Sequence, residues 1–243
     1  MKITVFNGSH RGRGGNTDLM VGELLAGAAA AGAETENVFL IEKKIRPCRG
    51  CFCCWEKTPG ACVIRDDMAE LLPKFISSDI VVFATPLYVD NVSGITKMFM
   101  DRLIPVVDPR MEKDESGESR HRKRHAKYPK IAVLSNCGFP EQSHFQVLSL
   151  LFRRIARNIH SEVVAEIYRG EGEILRSGPL LVKPLLWRYK KLLRLAGEEL
   201  AREARISEGT AAKLRQPIVP EALYSQAANR HWKIPPAGRD GGA

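Results

Sequence analysis

Five short strand-like runs recur along the chain, each set off by a loop and a helix-length segment. The runs are Lys2–Asn7, Glu34–Leu40, Asp79–Ala84, Lys130–Ser135 and Glu162–Tyr168. The helical segments are Asn16–Ala31, Met68–Ser77, Gly94–Ile104, Gln142–Asn158 and Pro179–Ala204. Parallel strands need a long crossover, and a helix is its usual form. The pattern therefore predicts an α/β fold: a doubly wound, five-stranded parallel sheet with helices on both faces. Residues 108–129 are polar and basic without periodicity and read as a surface insertion. The body is expected to span residues 1–205. Residues 206–243, with Pro217, Pro220, Pro235 and Pro236, read as a tail that wraps the body or a partner chain.

The chain has 243 residues, 44% hydrophobic and 27% charged, enough for one good core and unlike a disordered or collagenous chain. No apolar run reaches the roughly 18–20 residues of a membrane helix. The N-terminus enters a strand at once, without the pattern of a secretory signal. The expected location is the cytoplasm. The net charge is +9, from 37 Lys+Arg against 28 Asp+Glu. Much of the excess sits in Arg120–His125 and in Arg188, Lys190, Lys191 and Arg194. These read as a solvated loop and helix face, or as a dock for an acidic partner. No nucleic-acid recognition motif accompanies them.

In doubly wound sheets the ligand sits beyond the carboxyl ends of the strands, where strand order switches. Three loops converge there. The first, Gly8–Thr17, is rich in glycine and hydroxyls and feeds a helix N-terminus, so it suits a phosphate. It matches neither the dinucleotide fingerprint nor the P-loop. The second, Thr85–Gly94, carries Pro86, Leu87, Tyr88 and Asn91 and suits a flat heterocycle. The third is Asn136–Pro140, where Gly138 permits close approach and Phe139 can stack.

Five of the six cysteines, Cys48, Cys51, Cys53, Cys54 and Cys62, fall within fifteen residues. In a reducing compartment such a cluster points to a metal or redox site. Cys48, Cys51, Cys54 and Cys62 supply four thiolates, the number that a [4Fe–4S] cluster takes. Zinc could use the same four, although its usual paired spacing is absent. Metal-free thiols kept for packing or redox sensing are the third reading. Cys53 is an extra thiol. Gly50 and Gly60 allow tight turns there, and Trp55 can shield the site.

Gly8-Ser9, Gly15-Asn16-Thr17, Pro86-Leu87-Tyr88 and Lys97-x-x-x-Asp101-Arg102 together resemble the flavodoxin-like NAD(P)H-dependent FMN reductases. The cysteine block followed by Val63-Ile64-x-Asp66-Asp67-Met68 resembles their iron–sulfur flavoprotein branch. The resemblance runs from residue 1 to about residue 170. It implies strand order 2-1-3-4-5 and a bound FMN. The cofactor-binding set would be Ser9, Arg11, Gly15, Asn16 and Thr17 at the phosphate, Pro86, Leu87, Tyr88 and Asn91 bordering the ring, and Cys137 and Gly138 on its other side. It also implies a [4Fe–4S] cluster on Cys48, Cys51, Cys54 and Cys62.

The activity implied is electron transfer between NAD(P)H or a ferredoxin-like donor and a quinone, oxygen or an iron–sulfur partner. The cofactor carries this chemistry, so no protein general acid is expected. The alternative is a non-enzymatic flavin or thiol redox sensor or electron carrier. His144 and His160 read as packing or surface residues in a helix, and Asp66 and Asp67 as helix-capping carboxylates. A homodimer or homotetramer is expected, with Leu180, Leu181, Pro184, Leu185 and Trp187 as a candidate contact.

Overall fold

The computed structural model describes residues 1–231; residues 232–243, with Pro235 and Pro236 of the tail, lie outside the described residues. The first half runs β1 (Lys2–Asn7), α1 (Asn16–Ala30), β2 (Glu34–Phe39), α2 (Cys53–Glu56), α3 (Met68–Ser77), β3 (Ile80–Pro86) and α4 (Gly94–Asp101). A pair of strands follows, β4 (Val107–Lys113) and β5 (Ser119–Lys123). The second half runs β6 (Lys130–Asn136), α5 (Gln146–Asn158), β7 (Val163–Arg169), α6 (Ile174–Ser177), α7 (Lys183–Glu203), α8 (Glu208–Arg215) and α9 (Glu221–His231).

The main sheet is parallel throughout, in the order β2-β1-β3-β6-β7. Counting only its own strands, that is 2-1-3-4-5, the flavodoxin-like order. Strand alternation sends Ile3, Val5, Ile80 and Val82 to one face, against Met20 and Leu24 of α1 and Leu193 and Leu200 of α7. Phe6, Val81 and Phe83 point to the other, against Phe75 of α3, Phe99 of α4 and Phe152 of α5. Helices α1 and α7 touch backbone to backbone. A Cβ on Gly27 would lie 1.9 Å from the Arg194 carbonyl oxygen, and one on Gly197 1.9 Å from that of Leu24. Any side chain at either position would force the helices apart.

Several boundaries differ from the sequence reading, each for a local reason. Residues 108–129 contain an antiparallel hairpin, β4–β5, closed by an Asp114 Oδ1 that accepts from the Ser116 and Glu118 amides. Charged residues on both its faces hide the strand alternation. Helix α4 stops at Asp101 instead of Ile104, because Pro105 follows and starts a 3-10 turn at residues 104–106. Helix α5 starts at Gln146, after a 3-10 turn at residues 142–145 that holds His144. His160 lies beyond α5 at φ 56°, and its Nε2 meets the His121 carbonyl oxygen at 2.6 Å. The tail carries α8 and α9, and Leu214 and Tyr224 are buried against the body.

Asp66 and Asp67 do not cap α3 as a pair. Asp67 makes no side-chain cap bond and instead accepts from the Lys44 amide at 2.8 Å. Asp66 accepts from the Met68 amide at 3.2 Å, but its main partner is the buried guanidinium of Arg102.

Candidate functional site

The loop after β1 turns tightly because Gly12 and Gly14 take positive φ, 54° and 85°. The Gly12 amide donates to the Ser9 carbonyl oxygen at 3.0 Å, which folds the loop onto itself. Helix α1 then begins at Asn16, and its N-cap, Gly15, offers no side-chain acceptor. The first-turn amides of a helix lack intrahelical partners. Ser9, Asn16 and Thr17 are buried polar residues beside them. Asn136 Nδ2 donates to Thr17 Oγ1 at 2.8 Å and so ties the end of β6 to this helix start. Ser93, the N-cap of α4, donates through Oγ to the Gly8 carbonyl oxygen at 2.6 Å.

Ser9, Arg11, Asn16, Thr17, Pro86, Leu87, Tyr88, Cys137 and Gly138 line one cleft. Three loops distant in sequence thus meet at the carboxyl end of the sheet. Gly15 stands just behind the lining, where a Cβ would lie 3.2 Å from Ser9 Oγ. Asn91 serves the loop instead. It exchanges backbone hydrogen bonds with Tyr88 at 3.0 and 3.1 Å around Val89 and Asp90, both at positive φ. A valine at φ 50° is a strained turn residue, and strain of this kind gathers at ligand-holding loops. Tyr88 stays half exposed, with the His10 ring stacked 6.1 Å away. Phe139 stacks on His144 at 4.2 Å.

The fourth wall was not foreseen. Gly172 and Glu173 form it, and Asn136 of the third loop also lines the cleft. The Gly172 amide donates to the Cys137 carbonyl oxygen at 2.8 Å, and a Cβ on Gly172 would lie 2.8 Å from that oxygen. Glu173 reaches Arg11 across the mouth at 3.7 Å. The only sequence signal was a Gly-Glu-Gly run after the last strand, beyond the motifs that carried the resemblance. Burial pushes the Cys137 thiol up to about 11, so it stays neutral, and its S–H donates to the Phe139 carbonyl oxygen at 3.4 Å. Behind this wall lies a buried ion pair, Arg169–Glu171, at 3.4 Å. Glu171 accepts from the Ile218 and Val219 amides, while Arg169 donates to the Leu214 and Gln216 carbonyls. Tyr224 of α9 donates to the Gly138 carbonyl oxygen at 2.8 Å. The C-terminal segment therefore buttresses the cleft from behind.

Cys48, Cys51, Cys54 and Cys62 line a second, small cavity, walled by Phe52, Val63, Ile64 and Ile104. All six cysteines carry free thiols. The segment is braced by Trp55, whose Nε1 donates to the Ile104 carbonyl oxygen at 3.1 Å and whose ring meets His121 of β5 at 5.0 Å. Cys53 lies outside the lining. Among the described residues, no three His, Cys, Asp or Glu side chains are grouped as ligands for a single ion. Four thiols around a cavity with an apolar wall are the donor set of an iron–sulfur cluster. The two cavities flank α4: Ser93 at its start holds the Gly8 loop, and Ile104, just past its end, walls the cysteine cavity.

The model of the family described as NADPH-dependent FMN reductase matches residues 1–126, just over half of the chain. The chain belongs to that family. An iron–sulfur flavoprotein of Methanocaldococcus jannaschii is 42% identical over 106 residues, 44% of this chain and 53% of the relative. One from Archaeoglobus fulgidus is 41% identical over 142 residues, 58% of each chain. The chain spans about half the length of the curated relatives it matches. Among solved structures, the NAD(P)H:quinone oxidoreductase of Methanothermobacter marburgensis superposes with TM-score 0.60 at 14% identity, over 82% of this chain and 96% of that one. An FMN-dependent NADH-azoreductase of Bacillus anthracis, in complex with FMN, gives 0.59 at 16%, over 83% and 99%. At these identities the structures share the flavodoxin-like fold. Among the described residues, no helix is long and apolar enough to cross a membrane.

Proposed function

We propose that this FMN reductase family member is an oxidoreductase that holds FMN in the three-loop cleft. The convergence of Ser9, Thr17, Pro86, Tyr88 and Gly138 on one cavity carries the reading. The free amides of α1, the Ser9 and Thr17 hydroxyls and the Arg11 guanidinium bind the phosphate, with Gly15 letting the backbone approach. Pro86, Leu87 and Tyr88 border one side of the ring and Cys137 and Gly138 the other; Asn91 shapes the Tyr88 turn. FMN held there supplies hydride uptake from NAD(P)H and release of electrons to an acceptor such as a quinone, oxygen or an iron–sulfur partner. The neutral Cys137 thiol, its S–H donated to the Phe139 carbonyl oxygen at 3.4 Å, brings no negative charge to the cleft.

Cys48, Cys51, Cys54 and Cys62 would hold a [4Fe–4S] cluster, which supplies one-electron exchange with a ferredoxin-like protein. The names of the archaeal relatives support this half of the proposal. Residues 1–205 form the flavin-binding unit and the following segment its buttress. Exposed Leu180, Leu181, Leu185 and Trp187 offer a face for a homodimer or homotetramer.

The test is protein purified without oxygen, assayed for flavin, iron and sulfide, and then for NADH and NADPH oxidation with a quinone. Stoichiometric FMN with turnover supports the reductase. A protein that cannot be loaded with FMN refutes it. FMN without iron leaves the flavin half standing and removes the cluster.

A further inference from the structure

Three consecutive carbonyls of the third loop are held from outside it. The Cys137 oxygen accepts from the Gly172 amide at 2.8 Å, and the Phe139 oxygen from the Glu171 amide at 2.9 Å. Between them, the Gly138 oxygen accepts from the Tyr224 hydroxyl at 2.8 Å. Two of these holds are backbone groups of the turn after β7, where Glu171 sits at φ 57°. The middle one is a side chain, brought in by α9 from eighty-six residues away. Tyr224 is buried and packs with Ile174 and Val182, which fixes its ring. Burial also pushes its phenol up to about 12, so the hydroxyl remains a donor.

The described residues contain no cis peptide bond. A planar trans unit points its N–H opposite to its C=O. The Gly138 carbonyl, turned toward Tyr224, therefore turns the Phe139 N–H the other way. Gly138 lines the cleft and Tyr224 does not, so that other way is the cleft side of the loop. Among the described residues, neither the Gly138 nor the Phe139 amide donates to an acceptor. The loop thus spends its carbonyls on the wall behind it and keeps two amides unspent.

We propose that Tyr224 is a positioning residue for FMN: by holding the Gly138 carbonyl, its hydroxyl presents the Phe139 N–H to an acceptor atom of the flavin ring. The inference rests on the FMN reading of the cleft and deepens it. Tyr224 lies well beyond residues 1–126, the part that the family model matches. A flavin ring gains electron density on reduction, and a donor aimed at the ring favours the reduced form. The hydroxyl therefore acts on the flavin's potential as well as on its affinity. A purely structural role would end with the docking of α9 on the body.

Two variants separate these roles. Tyr224→Phe removes the hydroxyl and keeps the ring among Ile174 and Val182. Leu200→Ala opens the core between α7 and the sheet, away from the cleft, and serves as a generally destabilised control. Each protein, with the parent, is stripped of flavin and titrated with FMN, and fluorescence quenching gives the affinity. The midpoint potential of the bound flavin is read from its visible band, and thermal denaturation gives the stability.

Tyr224→Phe should bind FMN about 2- to 10-fold more weakly, the worth of one hydrogen bond, and its flavin should have a more negative potential. Leu200→Ala should melt at a lower temperature with the parent's affinity and potential. A Tyr224→Phe protein with the parent's affinity and potential overturns the proposal and leaves the FMN reading intact. So does weaker binding with an unchanged potential, which confines the hydroxyl to bracing the wall. Equal changes in the two variants overturn it as well, as general loosening. A folded parent that takes up no FMN removes the cleft reading, and this proposal with it.

Discussion

Gly172→Ala is the sharpest probe of the cleft, because its cost can be worked from the backbone. An added Cβ would sit 2.8 Å from the Cys137 carbonyl oxygen and 3.3 Å from Asn136 Oδ1. An ordinary contact needs about 3.4 Å, so the Cys137 carbonyl must retreat by about half an ångström. That carbonyl belongs to the wall assigned to the flavin ring, and it accepts the Gly172 amide. Forced shifts in packed structure typically cost about 1–3 kcal/mol. The empty loop can relax outward, but the loaded cleft needs the original position. Most of the cost should therefore fall on binding, weakening FMN about 5- to 100-fold. Gly22→Ala is the control. Nothing lies within 4 Å of its added Cβ, and in the interior of α1 it should stabilise by roughly 0.5–1 kcal/mol. Flavin fluorescence quenching gives the affinities and thermal denaturation the stabilities. A Gly172→Ala protein that binds FMN within twofold of the parent would refute the placement of the ring against this wall.

Four further outcomes are expected. The Cys137 thiol, pushed up to about 11 by burial, should be alkylated by iodoacetamide at pH 8 at least tenfold more slowly than an exposed free thiol, as mapped by mass spectrometry. Glu171→Ala leaves Arg169 buried and unpaired and should cost about 3–5 kcal/mol in denaturant unfolding, with earlier proteolysis after residue 205. Burial alone would raise the Asp66 carboxyl, but hydrogen bonds from Arg102, Arg46 and Met68 hold it below its ordinary value. The stability it contributes is present above its unfolded pKa, near 4, and lost as pH falls through the lower folded value; acid titration of Asp66→Asn should lack that component. Light scattering should show a dimer or tetramer, and Leu181→Glu should shift it toward monomer if the exposed 180–187 face is the contact.

The sheet was legible because buried parallel strands are short, apolar and punctuated by loops, as in Ile80–Pro86. The first two site loops were legible because phosphate binding and tight turns demand glycine, hydroxyls and proline in sequence. The wall at Gly172 and Glu173 was not, since its position depends on where the chain returns after β7. Nor was the hairpin β4–β5, whose strands carry charges on both faces. Asp66 illustrates the remaining difficulty. A carboxylate two residues before a helix reads as a cap, and only the fold brings Arg102 to it from thirty-six residues away. The buttress from Leu214 to Tyr224 is hidden for a similar reason: on its own side, apart from the Tyr224 hydroxyl, its polar anchors are backbone amides and carbonyls, which leave no mark on residue choice.

Helix α4 has only eight residues, about 12 Å of rise, yet it is fastened at both ends. Ser93 grips the first loop and Arg102 the cysteine segment, while Phe99 stacks on Phe6 in between at 4.4 Å. Each residue of a helix turns the next by about 100°. One inserted residue between the two anchors would swing Arg102 away from Asp66 while Ser93 stayed in place. The stretch from Ser93 to Arg102 is thus a spacer of fixed count, open to changes of side chain on its solvent face but closed to changes of length.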